Sequence, residues 1–289
     1  MPSLHIVTDS CAHFAHDAKP HNVTVLPNLL TINGKSFREG VDISHDEAFR
    51  LMAQGAQKAT VTPPSPADYA AAFERLSRDH DGIISIHVSR EMSDSWQNAQ
   101  IAAQGFPGHN RVVVIDSHTL AEAQRMLVSL AAREALRQDS VDEIVRILRG
   151  AIEQLYIVFF VESIDALLHH RILPPSQTVL GAMLNIKPIL SVENGRLIAI
   201  EKVRTRVQAV ERLVEFVIEF TDIADAVILQ NRTLITEPTR MLQERLQAEF
   251  PQVRFPYTMY GASLAALIGL DATGLAVLEN PGARIDDGY

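Results

Sequence analysis

Short apolar runs alternate with longer amphipathic stretches over the first 160 residues, and this alternation constrains the fold more than any other feature. Leu4–Thr8, Gly82–Val88 and Arg111–Asp116 have the length and composition of buried strands. Helical patterns lie between them, and one is opened by a capping-box pair, Ser65 and Asp68. Strands separated by amphipathic helices predict a parallel sheet built from βαβ units.

The second half of the chain shows a different pattern. Two apolar runs, Leu184–Val192 and Arg196–Val203, flank the dipeptide Asn194-Gly195. Asn-Gly between apolar runs is a strong signal for a β-hairpin. Helical and strand-like stretches then follow in a less regular order, so we expect an α+β region with antiparallel strand pairing.

Together the two patterns predict an α/β protein with two domains. The chain has 289 residues, enough to bury a substantial core without disulfide support. We predict an α/β domain with βαβ units over residues 1–158 and an α+β domain over residues 159–289. The parallel sheet belongs to the first domain, and we expect the ligand site to lie between the two.

Composition and charge limit the classes of function. The formal net charge is −9, from 26 basic and 35 acidic residues, so we expect no nucleic-acid binding. No apolar run approaches the roughly 18 residues that span a membrane, and the N-terminus lacks the pattern of a signal peptide. Cys11 is the only cysteine, which fits a reducing compartment. We therefore expect a cytoplasmic protein without membrane insertion.

Common enzymatic motifs are missing, but polar residues follow several predicted strands. The sequence has no G-x-G-x-x-G turn, P-loop, G-x-S-x-G elbow or H-E-x-x-H helix. Asp9-Ser10, Ser89 and Asp116-Ser117 each follow an apolar run. In open α/β sheets the carboxyl ends of strands line the ligand crevice, so a polar rim is one interpretation. Turn and N-cap roles are the other.

The histidines form no recognisable metal site. Two groups stand close in sequence, namely His13, His16 and His21, and the pair His169-His170. A zinc site needs ligands that converge from rigid elements, and the spacing here matches no zinc pattern. We expect solvated surface histidines and assign no metal ligand and no catalytic residue.

An ordered set of segments is typical of one protein family. The segments are Ile6-Val7-Thr8-Asp9-Ser10, Thr62–Pro66, Met92–Ala99, Val114-Ile115-Asp116-Ser117, Leu184–Leu190, Asn194-Gly195 and Val203-Arg204-Thr205-Arg206. Together they resemble the DegV family of bacterial fatty-acid-binding proteins. Each segment is short, but they span nearly the whole chain in the order of the family. The match is therefore specific as a set.

The resemblance implies a carrier protein with no catalysis and no cofactor of its own. Family members hold a long-chain fatty acid in a buried tunnel and present its carboxylate to a separate fatty acid kinase. Hydroxyl groups and one basic side chain hold the carboxylate. Carried over by position, the head-group residues are Thr62, Ser93, Ser95 and Arg171, and the residues facing the kinase are Arg204 and Arg206.

Two positions depart from the family pattern near the expected head group. Asp271 stands where the family has a histidine, and Asp94 where it has a glycine. An ionised Asp271 would repel a carboxylate, so it is protonated, points elsewhere, or meets a head group that is not a free carboxylate. Alternatively, Asp271 terminates a strand or caps a helix, and Asp94 is an early helix residue favoured by the dipole.

An enzyme acting on a small polar or phosphorylated substrate in the interdomain cleft is the alternative function. Asp9, Asp116 and Asp271 are then the candidate acids or bases, because strand-end carboxylates converge at one crevice. A long apolar tunnel favours the carrier, whereas a short polar pocket with converging carboxylates favours the enzyme. We expect the carrier, with the acyl ligand site lined by Thr62, Ser93, Ser95, Arg171 and Asp271.

Overall fold

The computed structural model describes residues 4–14, 19–55, 59–106, 111–137, 140–170, 172 and 186–280. The chain divides into two compact units. The first comprises Met1–Ile152, Asn194–Arg196 and Gly261–Ser263, and the second comprises Glu153–Glu193, Leu197–Tyr260 and Leu264–Tyr289. The domain boundary at 158–159 and a ligand site between domains stay predictions.

The elements up to residue 152 are a mixture of strands and helices. In chain order they are β1 (Leu4–Asp9), β2 (Val23–Leu26), β3 (Leu29–Ile32), β4 (Lys35–Arg38), α1 (His45–Gln54), β5 (Thr60–Thr62), α2 (Pro66–Leu76), β6 (Gly82–His87), α3 (Ser95–Gln104), β7 (Arg111–Asp116), α4 (Ala121–Glu134) and α5 (Val141–Ile152). The two kinds alternate from α1 to α4.

A four-stranded parallel sheet with the order β2-β1-β6-β7 organises the first unit. All six residues of β1 and of β6 are buried, as expected for strands covered on both faces. Ser65 and Asp68 form the predicted capping box of α2, and Pro66 takes the first helical position. The helix then buries one apolar face against the sheet, including Tyr69 and Phe73. The predicted parallel sheet is confirmed.

A second, antiparallel sheet of the order β4-β3-β5 was not predicted. Its strands have three or four residues, too few to show the alternation typical of a half-buried strand. Asn33-Gly34 joins β3 to β4 with φ values of 51° and 77°. This is the same hairpin dipeptide that predicts the turn at Asn194-Gly195, where φ is 50° and 76°.

Within the described residues from 155 on, ten further elements follow. In chain order they are β8 (Leu155–Val161), α6 (Asp165–His169), β9 (Lys187–Glu193), β10 (Arg196–Val203), α7 (Arg206–Ile218), β11 (Ile223–Gln230), α8 (Glu237–Glu249), β12 (Tyr257–Met259), α9 (Ala262–Ile268) and β13 (Ala272–Glu279).

These later strands form a six-stranded sheet with the order β10-β9-β8-β13-β11-β12. The pairs formed by β8 with β9, β8 with β13 and β11 with β13 are antiparallel, as predicted. The expectation is wrong for β12, which runs parallel to β11. Helix α8 lies between β11 and β12 in the chain. It brings the chain back to the end of the sheet at which β11 begins, so β12 runs parallel to β11. Both the sheet and the α7 and α8 helices contribute to one apolar core. The predicted α/β fold class is confirmed.

Candidate functional site

Asp9 and His87 meet at the carboxyl ends of β1 and β6. The two strands are parallel neighbours in register at Thr8 and Ile86, so the next residues of each lie side by side. His87 Nδ1 is 3.0 Å from Asp9 Oδ2, and neither side chain is exposed. A carboxylate can only accept, so His87 Nδ1 bears the hydrogen. In the neutral ring, Nε2 then accepts from the Ser85 hydroxyl at 2.6 Å.

Further donors satisfy the Asp9 carboxylate. The Ser95 hydroxyl donates to Oδ2 at 2.8 Å, and the Cys11 amide and the Gln124 side chain donate to Oδ1 at 3.1 and 3.3 Å. Burial by itself would raise the pKa of Asp9, but the hydrogen bonds from His87, Ser95 and Gln124 outweigh burial and lower the pKa. Asp9 is therefore an ionised carboxylate that is buried and fully paired.

The Ser95, His87 and Asp9 side chains do not have the geometry of a nucleophilic triad. In a triad the serine hydroxyl donates to the histidine, which the aspartate orients from the other side. Here Ser95 Oγ donates to Asp9 and lies 3.5 Å from His87 Nδ1. Tyr69 OH lies 2.6 Å from Ser95 Oγ and donates to it, since the Ser95 hydrogen points to Asp9. Ser95 is also only 1% exposed.

Ser93 and Thr62 lie on two segments that are both hydrogen-bonded to helix α3. The Ser95 amide donates to Ser93 Oγ at 3.2 Å, which closes a turn just before α3. Thr62 ends β5 and is exposed. Asn98 of α3 donates to the Pro64 carbonyl at 2.9 Å and so fixes the segment that follows Thr62. These two predicted head-group residues are thus connected to α3 at its first turn.

Asp94 occupies the N-cap position of α3 and is exposed. Its side chain makes no capping hydrogen bond, although an acidic residue at this position favours the helix through the macrodipole. Ser95, a predicted ligand residue, is the first residue of the helix and its hydroxyl is turned into the buried cluster. A direct contact between Ser95 and a ligand stays a prediction.

A cavity of about 400 Å³ in the second unit contains two other predicted site residues, Arg206 and Asp271. Its charged and amide lining residues are Glu162, Arg206, Asn231, Arg232, Glu237 and Asp271. Asp271 directly precedes β13 and accepts a hydrogen bond from the Asn231 amide at 3.0 Å. The volume lies within the range of small-molecule pockets. The apolar tunnel implied by the resemblance stays a prediction.

Glu162 bridges two cations in this second unit. It follows β8, and its carboxylate accepts from Arg206 Nε at 2.6 Å and from Lys187 Nζ. Burial by itself would raise the pKa of Glu162, but Lys187 and Arg206 outweigh burial and lower the pKa. Sequence inspection missed Glu162, although it is a polar residue directly after an apolar strand, the same signal that marks Asp9 and Asp116. His87 was missed although it ends β6, shortly before Ser89.

The other sequence-predicted residues have varied surroundings. Arg204 is exposed, and its backbone amide donates to the Gln208 side chain at 3.1 Å. Arg171 lies outside the described residues. Ser89 and Ser117 accept hydrogen bonds from amides two residues later, as turn residues do. Ser10 instead donates to the buried carboxylate of Glu39 at 2.6 Å.

The prediction of solvated histidines is wrong for His13. Its ring packs edge-on against His45, with 4.1 Å between ring centres, and burial lowers the pKa of His13 to about 3. The prediction is also wrong for His170, which is half-buried with Nε2 3.0 Å from the Ala266 carbonyl oxygen. His21 and His169 are exposed as expected, and His16 lies outside the described residues. Among the residues that the structure describes, no group of His, Cys, Asp and Glu side chains is arranged to hold a metal ion. No helix in this described part is long and apolar enough to cross a membrane.

Comparison with known sequences gives matches over almost the entire chain. Residues 3–280 match the model of a family described as "uncharacterised protein, DegV family". A DegV domain-containing protein of Caldanaerobacter subterraneus is 31% identical over 277 residues, covering 95% of this chain and 98% of the relative. Protein DegV of Bacillus subtilis is 26% identical over 280 residues, covering 94% and 98%.

Solved structures give the same result for the fold. A DegV family protein from Thermus thermophilus, described for its fatty acid binding, superposes with a TM-score of 0.86 at 25% identity, covering 96% of this chain and 100% of that one. The fatty acid kinase B3 protein of Streptococcus pneumoniae, loaded with linoleic acid, superposes with a TM-score of 0.84 at 20% identity, covering 96% and 100%. The match to the family model and the identity to curated relatives agree over the full described length, and the chain belongs to the DegV family.

Proposed function

We propose that this protein binds a long-chain fatty acid, or a related acyl ligand, and presents its head group to a fatty acid kinase. The observation with most weight is the end-to-end match to the Thermus thermophilus protein, which is described as binding fatty acid. The Streptococcus pneumoniae match adds the kinase, because that protein belongs to a fatty acid kinase system. The role is binding and presentation in the cytoplasm, without catalysis or a cofactor.

The physical chemistry of a fatty acid explains what the site has to supply. Each buried methylene contributes about 0.8 kcal/mol, so the acyl chain provides most of the affinity. A carboxylate removed from water needs hydrogen bonds, since an unpaired buried charge is costly. In the proposal Thr62 and Ser93 donate these bonds and Arg171 supplies the positive charge. The turn before α3 supports this role because the Ser95 amide donates to Ser93 Oγ and so orients this hydroxyl.

The hydrogen bond that Asp271 accepts limits the repulsion between Asp271 and a carboxylate head group. Asn231 donates to one carboxylate oxygen of Asp271, so part of the charge of Asp271 is already satisfied within the protein. We propose that the acyl head group meets Ser93 and Thr62, while Asp271 stays paired with Asn231. This arrangement lets a free carboxylate bind without direct opposition from Asp271.

Fluorescence of Trp96, the only tryptophan, tests the proposal directly, because Trp96 is the second residue of α3. Titration with oleate should give saturable binding at one molecule per chain. Ser93→Ala should weaken binding by about 10- to 100-fold, because a hydrogen bond to a charged group contributes roughly 1.5–3 kcal/mol. Ser36→Ala, an exposed strand serine, is the matched control and should bind like the original protein. Absence of saturable binding would disprove the proposed function.

A further inference from the structure

We infer that Asp9 is a positioning residue for the head-group site, because it anchors Ser95 and thereby fixes the turn that contains Ser93. The inference rests on the proposed function for the role of Ser93 but not for the geometry. A buried strand-end carboxylate then affects ligand affinity through the residues that it holds, although Asp9 itself is not exposed.

The first step is the anchor at Ser95. Asp9 Oδ2 accepts from the Ser95 hydroxyl at 2.8 Å, and Tyr69 OH lies 2.6 Å from the same hydroxyl oxygen. Asp9 is in turn held by His87 and by the backbone amides of Cys11 and Val88. The anchor is therefore connected to two strands of the parallel sheet and is completely enclosed. A hydrogen bond to an ionised acceptor in such surroundings is short and strong.

The second step leads from Ser95 to the exposed turn. The amide of Ser95 donates to Ser93 Oγ at 3.2 Å, so the same residue is bonded to Asp9 through its side chain and to Ser93 through its backbone. A change in the position of Ser95 therefore breaks or lengthens the bond that orients the Ser93 hydroxyl. Orientation of a hydrogen-bonding group before the ligand arrives is a direct contribution to affinity.

The third step extends the effect to Thr62. Asn98, also in the first turn of α3, donates to the Pro64 carbonyl at 2.9 Å. Pro64 stands two residues after Thr62, which ends the short strand β5. The first turn of α3 is thus attached to the sheet by Ser95 and to the Thr62 segment by Asn98. Loss of the Asp9 anchor is expected to disturb both predicted head-group hydroxyls together.

A double-mutant cycle separates positioning from a general contribution to stability. Ser95→Ala removes the bond to Asp9 and leaves Asp9 paired with His87. We expect Ser95→Ala to weaken oleate binding about tenfold, measured by Trp96 fluorescence. The effect of Ser93→Ala is measured as the logarithm of the ratio of dissociation constants with and without this substitution. In the Ser95→Ala background this effect should be less than half of its value in the original protein. Ser95→Thr keeps a hydroxyl at this position and should restore both affinity and the full effect of Ser93→Ala. If the effects of Ser95→Ala and Ser93→Ala on binding free energy are additive, the inference is overturned, because only coupled residues give non-additive energies.

Hydrogen–deuterium exchange without any ligand distinguishes failure of the inference from failure of the proposed function. In Ser95→Ala and Asp9→Asn the amides of residues 93–98 should exchange at least tenfold faster, while those of β13 keep their rates. If Asp9→Asn does not fold, Ser95→Ala gives the answer by itself. Faster exchange in a protein that binds no oleate would support the anchor and disprove fatty acid binding. Unchanged exchange in folded Ser95→Ala would overturn the inference whatever the protein binds.

Discussion

The imidazole of His87 and the carboxylate of Asp9 form a buried pair, with 3.0 Å between Nδ1 and Oδ2 and no exposure of either side chain. Removing one hydrogen-bond donor from a buried, ionised carboxylate costs about 1–3 kcal/mol or more. We expect His87→Phe, which keeps a ring of similar volume, to lower the free energy of unfolding in urea by about 3 kcal/mol. His21→Phe alters an exposed histidine and should change the free energy of unfolding by less than about 0.5 kcal/mol, as is typical of surface sites. A loss below about 1 kcal/mol in His87→Phe would show that Asp9 does not depend on His87.

Buried histidines make the protein less stable in mild acid. Burial lowers the pKa of His5 to about 4, with the nearby charges of His80 and Lys19 acting in the same direction. Burial also lowers the pKa of His13 to about 3. In the unfolded chain both titrate near pH 6.5. Between these values the unfolded state binds more protons than the folded state, so the free energy of unfolding falls as the pH falls below about 6.5.

The slope of stability against pH tests this prediction. Each neutral histidine that protonates only on unfolding contributes about 1.4 kcal/mol per pH unit inside its window. Urea denaturation at several values between pH 7 and pH 4.5 should show the loss, and His5→Gln should reduce the slope by about one such contribution. An identical slope in His5→Gln would mean that His5 protonates in the folded protein.

Two glycines are expected to respond in opposite ways to the same substitution. Gly274 of β13 faces Phe159 of β8, and an added Cβ would overlap the Phe159 ring and lie 2.9 Å from the Val158 carbonyl oxygen. Gly274→Ala should therefore lower the free energy of unfolding by about 1–3 kcal/mol. Gly150 lies in helix α5 with no atom within 4 Å of an added Cβ. Gly150→Ala should raise the free energy of unfolding by about 0.5–1 kcal/mol, because alanine favours the helix over glycine. Thermal and urea unfolding of both variants measure the two signs, and equal signs would contradict the packing described for β8 and β13.

The elements with long, regular patterns could be predicted from the sequence. β7 has the predicted bounds, and α2 begins at the predicted capping box, because these features depend on neighbours in the chain. The sheet β4-β3-β5 could not be found from alternation, since three- and four-residue strands show at most two full periods. Parallel pairing of β12 depends on the path of α8, which local sequence does not specify.

The polar contacts were harder to predict than the fold. Asp9 stands at a strand end in sequence, but its partners His87, Ser95 and Gln124 are 78, 86 and 115 residues away. Only the parallel register of β1 and β6 places His87 beside Asp9. Ser95 was assigned to the ligand by position in the family, whereas its hydroxyl is bonded to Asp9. Sequence patterns identify the polar strand ends, and the tertiary fold decides which of them meet.

Arg204 and Arg206 are predicted to affect presentation of the ligand without affecting its retention. Both are exposed, and Arg206 is bonded to Glu162. In the Arg204→Ala, Arg206→Ala double variant, oleate binding should stay within about twofold of the original protein, a change below 0.5 kcal/mol. Acyl phosphate formation by a purified fatty acid kinase should fall about tenfold or more. The reason is that charged residues at the rim of an interface speed association with the partner, and this variant loses two of them. Arg245→Ala, an exposed arginine paired with Glu211 on a different helix, is the control. Unchanged turnover in the double variant would place the kinase elsewhere on the protein.

Native mass spectrometry of the purified protein, followed by denaturing extraction and identification of the released small molecule, tests the central claim most directly. The account predicts one long-chain fatty acid per chain, retained through purification, and reduced occupancy in Ser93→Ala. A protein that emerges without lipid, and takes up none when incubated with a mixture of saturated and unsaturated fatty acids, would contradict it.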